Sequence, residues 1–220
     1  MGRRLHRGGR FRRWLGRRLG GDEALGDRAW RRILHGLGAG AIAYYLLPTE
    51  LIGGFSKLDL LLLLLAGVLL LEGLRLGAGL DLPTVRPYER RRLASFAFFA
   101  VSLTLALLLF PVPIGAATIL GASWVDPLAG ELRGSPRYRR SYPVVPGLVY
   151  TVLAASMLVA WSPVALPWAF GAGAGMAVVA LAAEYPKSRW IDDDLAMTLL
   201  PAAAVWGVAV ALPPLAGLLH

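Results

Sequence analysis

The sequence predicts an all-α, polytopic integral membrane protein with about seven transmembrane helices. Hydrophobic residues make up 56% of the 220 residues and charged residues 17%, below the roughly 25% charge typical of soluble domains. The charged residues also cluster between long apolar runs instead of being spread along the chain. Cysteine is absent, and His6, His35 and His220 are the only histidines, which excludes a thiolate site or a His-rich metal site.

The N-terminal segment 1–32 is predicted to be a basic cytoplasmic arm, followed by one transmembrane helical domain, 33–220. The arm holds eleven arginines and has no early apolar core or cleavage site, so it does not resemble a signal peptide. Its apolar residues have a spacing compatible with an amphipathic helix on the membrane surface: Phe11, Trp14, Leu15 and Leu19. A disordered basic arm is the alternative.

Hydropathy predicts seven spans, several of them shorter than the roughly 20 residues of a straight crossing. They are Ile33–Leu47, Leu58–Leu76, Leu93–Phe110, Val112–Leu128, Val144–Trp161, Pro163–Ala183 and Leu195–Leu219. The fourth span is the weakest, because it is rich in Gly and Ala and ends at Asp126-Pro127. Three glycines in the sixth span, Gly171, Gly173 and Gly175, predict close approach to a neighbouring helix.

With the N-terminus in the cytoplasm, these spans place the segments 1–32, 77–92, 129–143 and 184–194 on the cytoplasmic side. Counted with the residues at their margins, they hold 22 of the 23 Lys and Arg residues, leaving Lys57 outside. This asymmetry predicts the orientation, and it assigns the net charge of +9 to anionic lipid headgroups instead of nucleic acid. The acidic residues of interest fall on the same side, which favours an enzyme at the cytoplasmic surface over a channel or transporter.

The segment Glu184 to Leu195 places three adjacent carboxylates, Asp192, Asp193 and Asp194, between two apolar runs. Charges of this kind are excluded from hydrocarbon, and a bound cation would relieve their mutual repulsion. Mg²⁺ takes carboxylate oxygens and keeps waters and substrate phosphates as its other ligands. The triplet therefore predicts a magnesium site, and a solvated loop that ends two helices is the alternative.

A second acidic position, Asp126, ends a Gly- and Ala-rich run and is followed by an arginine cluster: Arg133, Arg137, Arg139 and Arg140. A carboxylate for a metal ion and guanidinium groups for phosphate oxygens are the groups that phosphoryl transfer requires. The alternative is a helix end with arginines that only set the topology. Glu89, in a charged run, either pairs with a neighbouring arginine or assists a nucleotide, and a lone histidine such as His35 is more often structural than catalytic.

Taken in order, five segments resemble the CTP-dependent polyprenol and dolichol kinase family, which includes phytol kinases and CTP-dependent diacylglycerol kinases. Arg31-Arg32-Ile-Leu-His35 resembles its Arg-Lys-x-x-His motif, and Glu72-Gly-Leu-Arg75 its acidic–apolar–Arg pattern. Arg86-x-x-Glu89, before a run that ends in Phe110-Pro111, is similar to its Arg-x-x-Glu. Asp126-x-x-Ala129 resembles Gly-Asp-x-x-Ala, and Glu184 through Asp193-Asp194-Leu195 resembles Glu, a short loop and Asp-Asn-Leu. The resemblance covers about residues 30–205.

This resemblance implies a membrane kinase that transfers the γ-phosphate of CTP, or of another nucleoside triphosphate, to a polyprenol-like lipid alcohol at the cytoplasmic face. Asp126, Asp192 and Asp193 would hold Mg²⁺, and Asp126, Asp193 or Asp194 would accept the hydroxyl proton. Phosphate charge would be neutralised by the arginine cluster, with Glu89 and Glu184 in support.

The chain departs from the family where Lys-Thr-x-Glu-Gly is expected, because Pro143-Val-Val-Pro146-Gly147 stands there. Arg139 or Arg140 is the candidate replacement for that lysine, although a planar guanidinium and a compact ammonium are not equivalent. Two alternatives follow: a non-catalytic membrane protein on the same scaffold that binds lipid or a partner, and a CTP-dependent cytidylyltransferase acting on a lipid phosphate.

Overall fold

The computed structural model describes residues 32–80, 85, 89–184 and 192–219. The basic arm up to residue 31, Arg86 and the segment 185–191 lie outside the described residues. The prediction of an all-α fold is confirmed for the described part of the chain, where the β contact is an isolated bridge between Glu50 and Ser56.

The first helix, α1, comprises the helical residues 32–38 and the 3-10 helix Ala39–Leu46 that continues them. The helices that follow are α2 (Lys57–Ala78), α3 (Ser95–Leu109), α4 (Val112–Gly134), α5 (Val144–Trp161), α6 (Leu166–Ala183) and α7 (Asp193–Ala211). Two short 3-10 helices, Arg139–Ser141 and Pro213–Leu219, lie before α5 and after α7.

Local sequence explains where several of these helices begin and end. At the start of α2, the Ser56 hydroxyl accepts a hydrogen bond from the Asp59 amide, and the Asp59 carboxylate accepts one from the Ser56 amide, which is a capping box. The same helix ends at Gly79, whose φ of 64° is a left-handed conformation that favours glycine. Phe110 is extended before Pro111, which separates α3 from α4.

Helix α4 is the centre of the bundle. It packs against α1, α3, α5, α6 and α7, and twelve of its residues are buried. The sequence predicts this segment to be the weakest span, ending at Leu128, but the helix continues through Pro127 to Gly134. Small residues give α4 a low hydropathy and also let five neighbours approach it closely, so the same composition that weakens the hydropathy signal makes the helix central.

The last predicted span, Leu195–Leu219, is divided in the structure. Helix α7 ends at Ala211, and Leu212 adopts an extended conformation before Pro213. A residue that precedes proline is driven away from helical geometry by the proline ring, which explains the break.

Five of the described helices are long and apolar enough to cross a membrane: α2, α4, α5, α6 and α7. Helix α3 is a shorter apolar helix, and α1 changes to 3-10 geometry after residue 38. Exposed leucines cover α2, of which Glu72 and Arg75 are the buried residues. Apolar side chains outside and polar side chains inside are the arrangement expected of a helix in lipid, and they support a membrane-embedded protein.

The predicted close approach of α6 to a neighbouring helix is made by one of the three glycines. A Cβ atom on Gly173 would lie 2.8 Å from the Thr151 carbonyl oxygen and 3.2 Å from the Ala155 nitrogen of α5. Gly171 and Gly175 have nothing within 4 Å of such an atom. The α5–α6 contact therefore depends on the absence of a side chain at Gly173.

Candidate functional site

Three helices that are distant in the sequence bring His35, Asp126 and Asp194 together. Nδ1 of His35 lies 3.9 Å from Oδ2 of Asp126, and Nε2 of the same ring lies 3.9 Å from Oδ1 of Asp194. One ligand atom from each side chain falls within 4.8 Å of the others. We call these three residues the His–Asp–Asp cluster, and their donor atoms are of the types that hold divalent cations.

Close packing of α1 on the bundle sets the position of His35. Its ring packs on Phe99 of α3, with 4.5 Å between the ring centroids. One turn further along α1, a Cβ atom on Gly38 would lie 2.5 Å from the Phe99 ring and 3.1 Å from Oγ of Ser123. Glycine at this position therefore allows α1 to approach α3 and α4 closely enough for His35 to reach Asp126.

A cavity of about 400 Å³ opens beside the cluster. Its wall combines two arginines with carboxylates and with an apolar side. The lining residues come from α1, α3, α4, the residue after α4 and the first turn of α7: Arg32, Leu34, His35, Ser95, Phe96, Phe99, Asp126, Pro127, Gly130, Glu131, Arg133, Gly134, Ser135 and Asp193. Arg32 pairs with Glu131 across α1 and α4. We call this cavity the pocket; its mixture of guanidinium, carboxylate and aromatic groups suits a ligand with phosphate and apolar parts.

The three aspartates of the predicted triplet occupy different positions in the structure. Asp192 is the N-cap of α7, where its carboxylate accepts a hydrogen bond of 3.2 Å from the Asp194 amide. Asp193 lines the pocket, and Asp194 is buried and joins the His–Asp–Asp cluster. One ligand atom from each of the three aspartates also lies within 4.8 Å of the others. Of the predicted metal ligands, Asp126 and Asp193 line the pocket directly.

Glu184 lies at the end of α6 and is buried, with 1% of its surface exposed. Its carboxylate accepts a hydrogen bond of 2.9 Å from the Tyr142 hydroxyl group and pairs with Arg133. Burial raises the pKa of the Glu184 carboxyl group, and the nearby Asp193 acts in the same direction, whereas Tyr142 and Arg133 oppose that rise. Glu184 therefore contacts the pocket through Arg133.

Glu89 belongs to a buried network at the end of α2. Nε and Nη2 of Arg75 donate hydrogen bonds of 2.6 and 2.7 Å to the Glu72 carboxylate, and Nη2 also donates to the carbonyl oxygens of Glu89 and Arg92. The Glu89 carboxylate accepts a hydrogen bond of 2.6 Å from the Ser95 hydroxyl group. Because Ser95 lines the pocket, Glu89 holds the first turn of α3 beside the pocket and does not line it.

The four arginines after Asp126 separate into two groups. Arg133 lines the pocket, whereas Arg137, Arg139 and Arg140 are exposed and absent from its described lining. The Arg137 guanidinium lies over the Tyr138 ring, 5.3 Å from its centroid. Arg139 and Arg140, the candidate replacements for the family lysine, therefore do not line the pocket among the described residues.

The sequence patterns assigned no functional role to three residues of this region: Arg32, His35 and Tyr142. A signal for His35 was present, because an imidazole one turn inside the first predicted span is expected at about the same depth as Asp126 and Asp194. Tyr142 gave no signal, since its role depends on the path of the chain between α4 and α5.

Comparison of the chain with protein-family models, with curated proteins and with solved structures finds no match in any of the three. The class of protein is therefore set by the fold and the pocket alone: an all-α, membrane-embedded helix bundle with a carboxylate- and arginine-lined pocket at one end. The resemblance to the CTP-dependent lipid kinases rests on the five sequence motifs.

Proposed function

We propose that this chain is a cation-dependent phosphotransferase that acts on a lipid alcohol, with CTP as the expected phosphoryl donor. The observation that carries the proposal is the His–Asp–Asp cluster, formed from three separate helices beside a pocket that also presents Arg32 and Arg133. Phosphoryl transfer depends mainly on positioning and charge neutralisation, and these residues supply groups for both.

The donor atoms of the cluster fit a hard divalent cation. Asp126 and Asp194 offer the carboxylate oxygens that Mg²⁺ prefers, and Asp193 stands beside them. When bound, Mg²⁺ would neutralise charge on the phosphate oxygens of the nucleotide. The imidazole of His35 extends the fit to Mn²⁺, because nitrogen ligands suit transition metals better than Mg²⁺.

The chain's own residues have three further tasks in this proposal. Arg133 and Arg32 neutralise the nucleotide phosphates, since guanidinium forks match phosphate oxygens. One of the pocket aspartates, Asp126 or Asp193, accepts the proton of the lipid hydroxyl group. Leu34, Phe96 and Phe99 give the apolar wall against which the first part of an isoprenoid-type tail packs.

Seven spans with the N-terminus inside remain our proposal for the topology. The α-helical and 3-10 rises give α1 a length of about 26 Å, and α3 with one extended residue at each end reaches about 29 Å. Both values approach the roughly 30 Å of a hydrocarbon core. The positive charges are distributed unequally between the two ends of the bundle. For example, Arg75 and Arg133 are at the end that carries the pocket, whereas Lys57 is at the other end. This asymmetry supports a cytoplasmic pocket.

The test is an assay of the purified protein with CTP, Mg²⁺ and a prenyl alcohol. We expect a phosphorylated lipid and CDP, and Asp126→Asn should lower the rate at least about 100-fold. Glu50→Gln, a carboxylate exposed at the opposite end of the bundle, is the matched control and should leave the rate unchanged. Pyrophosphate instead of CDP, with a lipid phosphate as acceptor, would identify a cytidylyltransferase.

A non-catalytic membrane protein that binds lipid or a partner is the second candidate. It is favoured by Pro143 and Pro146 at the positions of the family's lysine and glutamate, and by the exposed positions of Arg139 and Arg140. Titration with CTP and Mg²⁺ separates the two candidates, because this one predicts that no nucleotide binds.

A further inference from the structure

Arg133, in the last turn of α4, lines the pocket and also forms an ion pair with the buried carboxylate of Glu184. Arg133 lines the pocket, and 35% of its side chain is exposed, whereas the side chain of its partner Glu184 is 0% exposed. The two members of this ion pair therefore differ in environment: the carboxylate is shut off from solvent, and the guanidinium group reaches outward from it to the pocket.

Tyr142 completes the arrangement. Its hydroxyl group donates a 2.9 Å hydrogen bond to Oε2 of Glu184, while Arg133 pairs with Oε1. Cζ of Arg133 lies 5.4 Å from the centroid of the Tyr142 ring. Oε2 thus has a hydrogen-bond donor and Oε1 an ion-pair partner, and the guanidinium group is fixed both by that ion pair and by an aromatic face.

A guanidinium group held in this way keeps donors for a second anion. It has five N–H donors in a rigid planar fork, and the pairing with Glu184 is made through Nη2. A fork that is fixed beforehand loses less conformational freedom when it binds phosphate oxygens. An arginine free to swing on its three methylene groups would lose that advantage.

We propose that Glu184 is a positioning residue that, together with Tyr142, orients Arg133 toward a phosphoryl group bound in the pocket. The inference rests on the proposed function. It assigns phosphate binding to Arg133 in the last turn of α4, supported by Glu184 at the end of α6 and by Tyr142 at the end of the 3-10 helix before α5. The raised pKa of Glu184 is consistent with it, because burial and the nearby Asp193 together disfavour the charged carboxylate by more than Tyr142 and Arg133 stabilise it. Keeping a carboxylate there has a cost in stability that a role at the pocket accounts for.

The competing interpretation is that the pair only ties the ends of α4 and α6 together. To separate the two, binding of inorganic pyrophosphate and of CTP, each with Mg²⁺, is measured by calorimetry on the full chain in detergent. We expect Glu184→Gln to weaken binding of both about tenfold and to raise the KM for CTP more than it lowers kcat. Glu50→Gln is the control and should leave both affinities unchanged, because this carboxylate is exposed at the opposite end of the bundle.

A double-mutant cycle decides between orientation and a purely structural tie. If Glu184 acts through Arg133, Glu184→Gln causes no further loss of pyrophosphate affinity in an Arg133→Gln background. An equal loss in both backgrounds, or unchanged binding in Glu184→Gln, would overturn the proposal. If Glu184→Gln does not yield folded protein, Tyr142→Phe takes its place: weaker binding supports the proposal, and unchanged binding overturns it.

The same measurements distinguish this inference from the proposed function. A wild-type chain that binds pyrophosphate through Arg133 and Glu184 without transferring phosphate retains the positioning role and loses the kinase proposal. If the protein transfers phosphate and Glu184→Gln binds pyrophosphate and CTP as tightly as the wild type, the kinase proposal is retained and the positioning role is lost. Absence of any pyrophosphate or CTP binding by the wild type overturns the positioning role.

Discussion

Nε2 of His35 lies 3.9 Å from Oδ1 of Asp194, although the two residues belong to the first helix, α1, and the last α-helix, α7, of the described residues. On its other edge, the same ring lies 3.9 Å from Asp126. The imidazole therefore links α1, α4 and α7 at one point, and that point borders the pocket. A cation bound there would be held by groups from three separate helices, so cation binding and the packing of these helices are coupled.

His35 is expected to contribute to cation affinity. His35→Gln removes the aromatic nitrogen donors and should raise the Mg²⁺ concentration needed for half-maximal activity by about 10- to 100-fold, the range found when a partner of a metal ligand is lost. Titration of activity with Mg²⁺ measures this change. Glu131→Gln, which alters a pocket carboxylate outside the cluster, should leave the Mg²⁺ requirement as it is; equal shifts in both variants would argue against a specific role.

The Glu72–Arg75 pair should be essential for stability. Arg75 is 2% exposed and makes two hydrogen bonds to Glu72, so Arg75→Met leaves a buried carboxylate without its partner at a cost of about 3–5 kcal/mol. Thermal denaturation in detergent measures the loss, and the double variant Glu72→Gln/Arg75→Met should recover part of it. If Arg75→Met has the same melting temperature as the wild type, the buried Glu72–Arg75 pair is not essential for stability.

Gly173 should tolerate no side chain. A Cβ atom there would meet backbone atoms of α5 at 2.8 and 3.2 Å, so Gly173→Ala should force the helices apart at a cost of about 1–3 kcal/mol. Gly171→Ala, on the same helix with nothing within 4 Å, is the control and should leave the melting temperature unchanged or slightly raised. Equal effects of the two substitutions would contradict the predicted α5–α6 contact.

The pH dependence of stability should report the Glu184 carboxyl group. Because burial raises its pKa in the folded state, the folded protein binds this proton more tightly than the unfolded chain does, and stability falls as pH rises from the ordinary glutamate range through the raised pKa. Glu184→Gln lacks this fall. The melting temperature of the variant relative to the wild type should therefore increase with pH and then level off. A difference that stays constant with pH would contradict the assignment.

Sequence patterns predicted most helix positions and missed two ends for identifiable reasons. Pro127 suggested a stop, yet α4 continues through it to Gly134, since a helix packed on five sides can lose one hydrogen bond. Pro213 did end α7, because its predecessor became extended. A proline therefore predicts a possible break, and packing decides whether the break occurs.

The candidate site was predictable in part. Hydropathy and charge asymmetry predicted that Asp126 and Asp194 lie on the same side of the membrane, which is the information a one-dimensional pattern contains. That His35 stands between them depends on how α1 packs against α3 and α4, and Gly38 sets this packing through its close contacts with Phe99 and Ser123. Which arginine faces the pocket depends on the turn after α4, so the sequence did not distinguish Arg133 from Arg139.

The most direct test of the His–Asp–Asp cluster is the electron paramagnetic resonance of Mn²⁺ added to the purified protein as a probe for the divalent cation. We expect a saturable protein-bound Mn²⁺ signal that Mg²⁺ displaces, that is lost in Asp126→Asn and in Asp194→Asn, and that persists in Glu50→Gln. A bound signal that is equally strong in all of these variants, or no bound Mn²⁺ in the wild type, would contradict the claim that these side chains form one cation site.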